Sequence, residues 1–200
     1  GQLSEILDVP SIGSFTVTMI NAGIPTVFIH ASELGYTGIE SQLDINNDVE
    51  ALVKLETIRA YAAQKMGLIK TIEQAKVQQH TPKLALIAPS QTYVSSSGKT
   101  IELDDIDLNV RAMSMRKLHH AMMGTAAVAI ATASAVKGTI VNQLIKKEKV
   151  DSVTFGHPSG LLTVGALVNQ TGNDYVVQKV TMSRSARTIM DGHVCVPWHA

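Results

Sequence analysis

Hydrophobic and polar positions along the chain mark one element before any other. From Thr125 to Val136 the sequence reads TAAVAIATASAV, with no charged residue and no polar face. A helix that is apolar all round is a buried one. Its small side chains let other backbone come close, and it is too short for a bilayer, which needs about 20 apolar residues. The pattern predicts a central helix enclosed by sheet, with Gly138 as its stop.

The flanking segments read mostly as strands, from weak alternation, β-formers and short apolar runs. Ser14 to Ile20 and Thr26 to Ile29 read as a strand pair around the turn Asn21-Ala22-Gly23-Ile24-Pro25. Leu84 to Ala88 is a short apolar strand, and Gln91 to Val94 extends it past Pro89. Ile106, Leu108, Val110 and Ala112 alternate with Asp107, Asn109 and Arg111, which predicts a strand with one buried face. Val153 to Phe155 leads into the turn Gly156-His157-Pro158-Ser159-Gly160. Leu161 to Val168 and Asp174 to Met182 form a hairpin pattern, and a last strand region carries Arg184, Arg187 and the segment from Gly192 to Val196. One surface helix is well marked: Asn47 as N-cap, Glu50 completing a capping box, apolar residues three or four apart from Val49 to Met66, and Gly67 as its end. A weaker helix runs from Thr71 to Gln79.

Candidate chemistry gathers at the start of the central helix. Thr125 is an N-cap candidate after Gly124. The first N–H groups of a helix lack internal partners and carry partial positive charge, so a buried helix start suits an anion. Arg116, Lys117, His119 and His120 lie just upstream as further donors. The competing reading is plain capping, with the basic residues solvated. Gly156 to Gly160 is equally a turn with an exposed serine. Arg184 and Arg187 suit either a carboxylate or surface ion pairs.

Composition narrows the function classes. The chain has 200 residues, a hydrophobic content of 45% and a formal net charge of zero, so a real core is available and no basic stripe points to nucleic acid. The cluster Lys146-Lys147-Glu148-Lys149 is short and mixed, as a solvated loop would be. Cys195 is the only cysteine; it allows no internal disulfide and reads as a buried strand residue. Zinc spacing, a Walker A loop and a dinucleotide fingerprint are all missing from the sequence. No secretory signal or membrane span is visible, so a cytoplasmic protein without a membrane partner is expected. The chain opens Gly1-Gln2-Leu3 without an initiator methionine, as a fragment or a processed chain would.

Five stretches, in order, carry a family resemblance. They are Ser14 through Met19-Ile20-Asn21-Ala22-Gly23-Ile24-Pro25-Thr26, then Leu34-Gly35-Tyr36-Thr37-Gly38, then Ala112-Met113-Ser114-Met115 through His119-His120-Ala121-Met122-Met123-Gly124-Thr125. Phe155-Gly156-His157-Pro158-Ser159-Gly160 and Met182-Ser183-Arg184-Ser185-Ala186-Arg187 up to Gly192 complete the set. Together they resemble the C-terminal half of the PrpF family, the 2-methylaconitate cis-trans isomerases of propionate breakdown.

The resemblance implies an α+β, diaminopimelate-epimerase-like fold: a curved, mostly antiparallel and barrel-like sheet around a central buried helix, plus a surface helix. It implies that residues 1–200 form the C-terminal domain of a two-domain, pseudo-symmetric isomerase, with the N-terminal domain absent and the last strands packing toward it. In epimerase relatives each helix start carries a catalytic cysteine; Met123 stands at that position here, and a thioether transfers no proton. The catalytic groups are therefore expected in the N-terminal half. What remains here is substrate binding: Gly124 and Thr125 on a carboxylate, Met122 and Met123 as pocket wall, Ser159 and Gly160 from the neighbouring loop, and His119 as a donor or a structural histidine. The implied partners are a small tricarboxylate substrate and the missing domain, with a homodimer conceivable through the exposed apolar face; no metal or organic cofactor is implied. Two other functions fit the same residues. One is a tautomerase or double-bond isomerase of another unsaturated acid, such as oxalomesaconate. The other is a non-catalytic anion-binding or assembly module.

Overall fold

The computed structural model describes residues 2–147, 150–172, 174–184 and 186–197. Glu148 and Lys149 of the lysine cluster, Asn173 of the hairpin turn and Ser185 of the last motif lie outside the described residues. The chain opens with three antiparallel strands, β1 (Glu5–Val9), β2 (Gly13–Ala22) and β3 (Ile24–His30). The helices α1 (Gln42–Asn46) and α2 (Val49–Lys65) follow, and then β4 (Lys83–Pro89) pairs parallel to β3. A small hairpin, β5 (Tyr93–Val94) with β6 (Thr100–Ile101), precedes β7 (Leu108–Ser114) and β8 (Lys117–Leu118). The central helix is α3 (Gly124–Ala135), and α4 (Ile140–Leu144) follows it. β9 (Ser152–His157), β10 (Gly160–Thr171) and β11 (Asp174–Met182) close the sheet, whose order is β1-β2-β3-β4-β7-β9-β10-β11. β3/β4 and β7/β9 are its parallel pairs.

The sheet is strongly curved. β2 and β11 are six places apart in that order, which is about 29 Å in a flat sheet at ~4.8 Å per strand. Both nevertheless touch α3, as do β3, β9 and β10. Only a sheet wrapped around the helix can do this. Ala126, Ala127, Ala129, Ile130, Ala131 and Ala133 of α3 are buried. Its buried hydroxyls are satisfied within the helix: Thr132 Oγ1 donates to the Val128 carbonyl at 3.0 Å and Ser134 Oγ to Ile130 at 2.7 Å. Gly23 lets the β2–β3 turn meet α3. An added Cβ there would lie 3.0 Å from the Thr125 carbonyl oxygen, and its φ of +76° suits glycine. Among the described residues no helix is long and apolar enough to cross a membrane.

Several local expectations need correction. The N-cap of α2 is Asp48, whose side chain accepts from Ala51 N, because Asn47 is already used as the C-cap of α1. The capping box sits one helix earlier, between Ser41 and Asp44. The segment after α2 is a 3-10 helix over Ile72–Lys76. β7 is buried on both faces, because Asn109 and Arg111 are covered like their apolar neighbours. The described residues beyond β11 form no strand and are exposed, Cys195 included. None of them pairs with a sheet edge, so the Val194-Cys195-Val196 alternation finds no ladder.

Candidate functional site

Strand directions place the predicted residues along β7 and its neighbours. β7 ends at Ser114, opposite the start of β4. β3 begins at that same end after the Gly23 turn that touches α3. β9 runs parallel to β7 but pairs with its first residues, Leu108 with Phe155 and Asn109 with Gly156, so His157 and the turn to Gly160 lie beside the first half of β7. His119 lies just before the start of α3, and its charge and that of His120 act on His157, which leads into the Ser159–Gly160 turn.

That helix start is bare. Met123, not Thr125, is the N-cap; it is extended (φ −73°, ψ 131°) and its side chain caps nothing. A thioether in place of a hydroxyl or carboxylate leaves the first N–H groups without a side-chain acceptor. The first intrahelical bond runs from Ala127 N to the Met123 carbonyl at 2.9 Å. The N–H groups of Gly124, Thr125 and Ala126 precede it. Thr125 is exposed, while Met122, Met123 and Gly124 are half-buried. The two methionines pack against the core around α3.

A cation sits over this positive helix end. A Cβ added to Gly124 would lie 2.2 Å from Nη2 of Arg184, so the guanidinium rests on the glycine. Two positive groups at close range favour an anion between or beside them. Among the described residues Arg184 makes no ion pair, and both of its readings stay open. Arg187 stays exposed on the tail.

Two histidines lie within the same positive field. His119 Nδ1 accepts from Ala121 N–H at 3.1 Å, and its ring stacks on His120 at 4.7 Å. Burial holds its pKa below the ordinary value, and the charges of His120 and Lys83 act in the same direction. His157 is 8% exposed, and its pKa is pushed down to about 4, first by burial and then by the Arg111 charge, with His119 and His120 adding to it. It is therefore neutral near pH 7. Its Nδ1 lies 3.3 Å from Ser159 Oγ and 3.4 Å from Ser159 N.

The turn carrying Ser159 is fixed from behind. The Tyr93 hydroxyl donates to the His157 carbonyl at 2.7 Å and also meets the Gly160 carbonyl. Ser96 N donates to the Pro158 carbonyl at 2.8 Å. Gly156 permits this packing, because a Cβ there would lie 2.6 Å from Asn109 Oδ1 and 2.7 Å from the Tyr93 ring. Arg111 stacks over Tyr93, with Cζ 5.0 Å from the ring centroid, and donates to the carbonyls of Glu40 (2.7 Å) and Val110 (3.0 Å). Burial lowers its pKa to about 10. Sequence reasoning missed both Tyr93 and Arg111. An arginine at the polar position of an alternating strand reads as solvent-facing, and only the loops covering that face reveal otherwise.

This arrangement can hold a polyanion. The charges that act on His119 and His157 are all basic. Among the described residues no group of three or more His, Cys, Asp or Glu side chains could hold a metal ion.

Known proteins resemble this chain in sequence and fold. The PrpF protein family profile matches residues 1–197. The chain is 59% identical over 197 residues to a 2-methyl-aconitate isomerase of Shewanella oneidensis, with 98% of this chain and 50% of that one covered. It is 52% identical over 200 residues to a 2-methyl-aconitate isomerase of Cupriavidus necator, covering 100% of this chain and 50% of that one. A crystal structure of a methylitaconate-delta-isomerase superposes with a TM-score of 0.82 at 31% identity, over 92% of this chain and 49% of that one. The chain thus spans about half the length of the relatives it matches, and its α+β architecture is the diaminopimelate-epimerase-like fold expected from the motifs.

Proposed function

The chain belongs to the PrpF protein family, and from that premise we propose that it is the tricarboxylate-binding, C-terminal half of an isomerase that interconverts cis and trans 2-methylaconitate in propionate breakdown. One observation carries the proposal: a helix start without a side-chain cap lies under the Arg184 guanidinium. Gly124 binds a substrate carboxylate through its backbone N–H, and Thr125 through its N–H and its exposed hydroxyl. Met122 and Met123 form the pocket wall, and Ser159, Gly160 and His119 line its far side. This half supplies no proton-transferring cysteine, since Met123 stands at that position.

In the proposed reaction a base from the N-terminal half removes a proton from the allylic carbon. The electron pair delocalises through the conjugated double bond into the carboxylate. Fixed donors at the start of α3 stabilise that developing charge. Rotation about the weakened bond and return of the proton give the other geometric isomer. The exposed tail, with Ile189, Met190, Val194 and Val196 each more than 80% exposed, would pack on the missing half. A cytoplasmic setting belongs to the same proposal.

The test is turnover by the intact parent protein, followed by proton NMR on 2-methylaconitate, 3-methylitaconate and oxalomesaconate. Cis-trans exchange of 2-methylaconitate in preference to the other two is expected. Turnover of another acid alone would move the assignment to a related double-bond isomerase. Binding without turnover of any of them would favour a non-catalytic anion-binding module.

A further inference from the structure

Lys83, at the start of β4, is 7% exposed. Its Nζ donates to Ser114 Oγ at 2.8 Å. Among the described residues no carboxylate lies within ion-pair distance of it. An ammonium has three N–H donors, so one neutral hydroxyl leaves two to place. Burying such a charge without a counter-charge is unfavourable.

Strand parity fixes the direction of the side chain. Lys83 shares a face of β4 with Ala85 and Ile87, which pack around α3, whereas Leu84 and Leu86 pack in the opposite core. Ser114 likewise continues the α3-facing row of Leu108, Val110 and Ala112. His119 N bonds the Ala112 carbonyl, and the Lys83 charge acts on the His119 ring. Burial, and then the charge of Arg59, hold the Lys83 pKa below its ordinary value. Lys83 therefore lies on the face that α3 covers, at the end that carries the bare helix start.

We propose that Lys83 is a further ligand-contact residue of this site: its ammonium, steered by Ser114, takes one carboxylate of the polyanion whose other carboxylate sits at the start of α3. The bound anion is the counter-charge that the sheet does not provide. The inference rests on the proposed function, since it deepens the same site.

The experiment is calorimetric titration of trans-aconitate, and of the dicarboxylate mesaconate, into the intact parent protein and its variants. Lys83→Met should weaken trans-aconitate by about 30-fold or more, the scale for truncating one partner of a buried charge pair. It should also shrink the preference for trans-aconitate over mesaconate, which a merely structural lysine would not set. Lys83→Arg should recover much of the affinity. If Lys83→Met does not fold, Ser114→Ala decides: weaker trans-aconitate binding at an unchanged melting temperature supports the role, and unchanged binding overturns it. Wild-type binding with an equal Lys83→Met affinity overturns the Lys83 role alone. A wild-type protein that binds neither acid overturns the proposed function and this inference with it.

Discussion

Gly124→Ala separates binding from folding at one atom. The new Cβ would fall 2.2 Å from Arg184 Nη2, 3.4 Å from its Cζ and 3.5 Å from Met182 Cε. Only the first distance is impossible, and it involves the far end of a flexible side chain. The guanidinium must swing away by more than an ångström, while the helix itself loses nothing. Replacing a helical glycine by alanine stabilises by up to ~1 kcal/mol, which is roughly 2–4 °C in Tm for a chain of this size. Removing a charge-assisted contact to a carboxylate costs about 1.5–3 kcal/mol, roughly a tenfold to hundredfold loss of affinity. The variant of the intact protein should therefore melt at the same temperature or slightly higher, yet bind trans-aconitate at least tenfold more weakly. Thermal unfolding and calorimetry measure the two effects separately. Unchanged affinity would refute the placing of Arg184 in the site. A Tm lowered by several degrees would refute the claim that the glycine is needed only for the approach of the guanidinium.

Other outcomes follow from the same structure. Thr125→Val in the intact protein should impair turnover much more than folding, because Thr125 is exposed and caps nothing; wild-type kinetics would count against it. His157 has a folded pKa of about 4 against an ordinary 6.5. The unfolded chain thus takes up the proton first as pH falls, and roughly 3 kcal/mol of stability is lost between pH 6.5 and 4. Denaturant titrations at those pH values should show this slope, and His157→Gln should flatten it. Arg111→Met removes the cation behind that ring, so the His157 pKa should rise in an NMR titration. Arg59 is 4% exposed, pairs bidentately with Glu56 and donates to the carbonyls of Ala75, Gln78 and Thr81. Arg59→Lys cannot reproduce that fork and should cost about 3 kcal/mol, read as a Tm drop of several degrees.

Elements whose burial shows in one segment were legible from sequence. α3 was, because an all-round apolar helix has one physical explanation. The β2–β3 pair and the β10–β11 hairpin were, because alternation and turn residues act locally. Cap assignments were less so: Asn47 and Asp48 can both cap, and only the short α1 decides between them. Thr125 looks like a cap until Gly124 is seen to be helical already. Arg111 and Lys83 were illegible, since their burial comes from loops and strands distant in sequence. The contact of Arg184 with Gly124 needs the whole path of β9, β10 and β11 to exist first. Motif spacing alone cannot show it, although both residues fall in stretches that carry the family resemblance.

The central claim is that this chain binds the substrate and that the reacting base lies elsewhere. Solvent deuterium exchange tests it most directly. Incubate 2-methylaconitate in D2O with the 200-residue chain and, separately, with the intact parent, and follow the methyl and methylene signals by NMR. The account predicts deuterium incorporation and isomerisation with the intact protein and neither with the chain alone. Exchange catalysed by the chain alone would contradict it, and would place the base among His119, His120, His157 and Lys83.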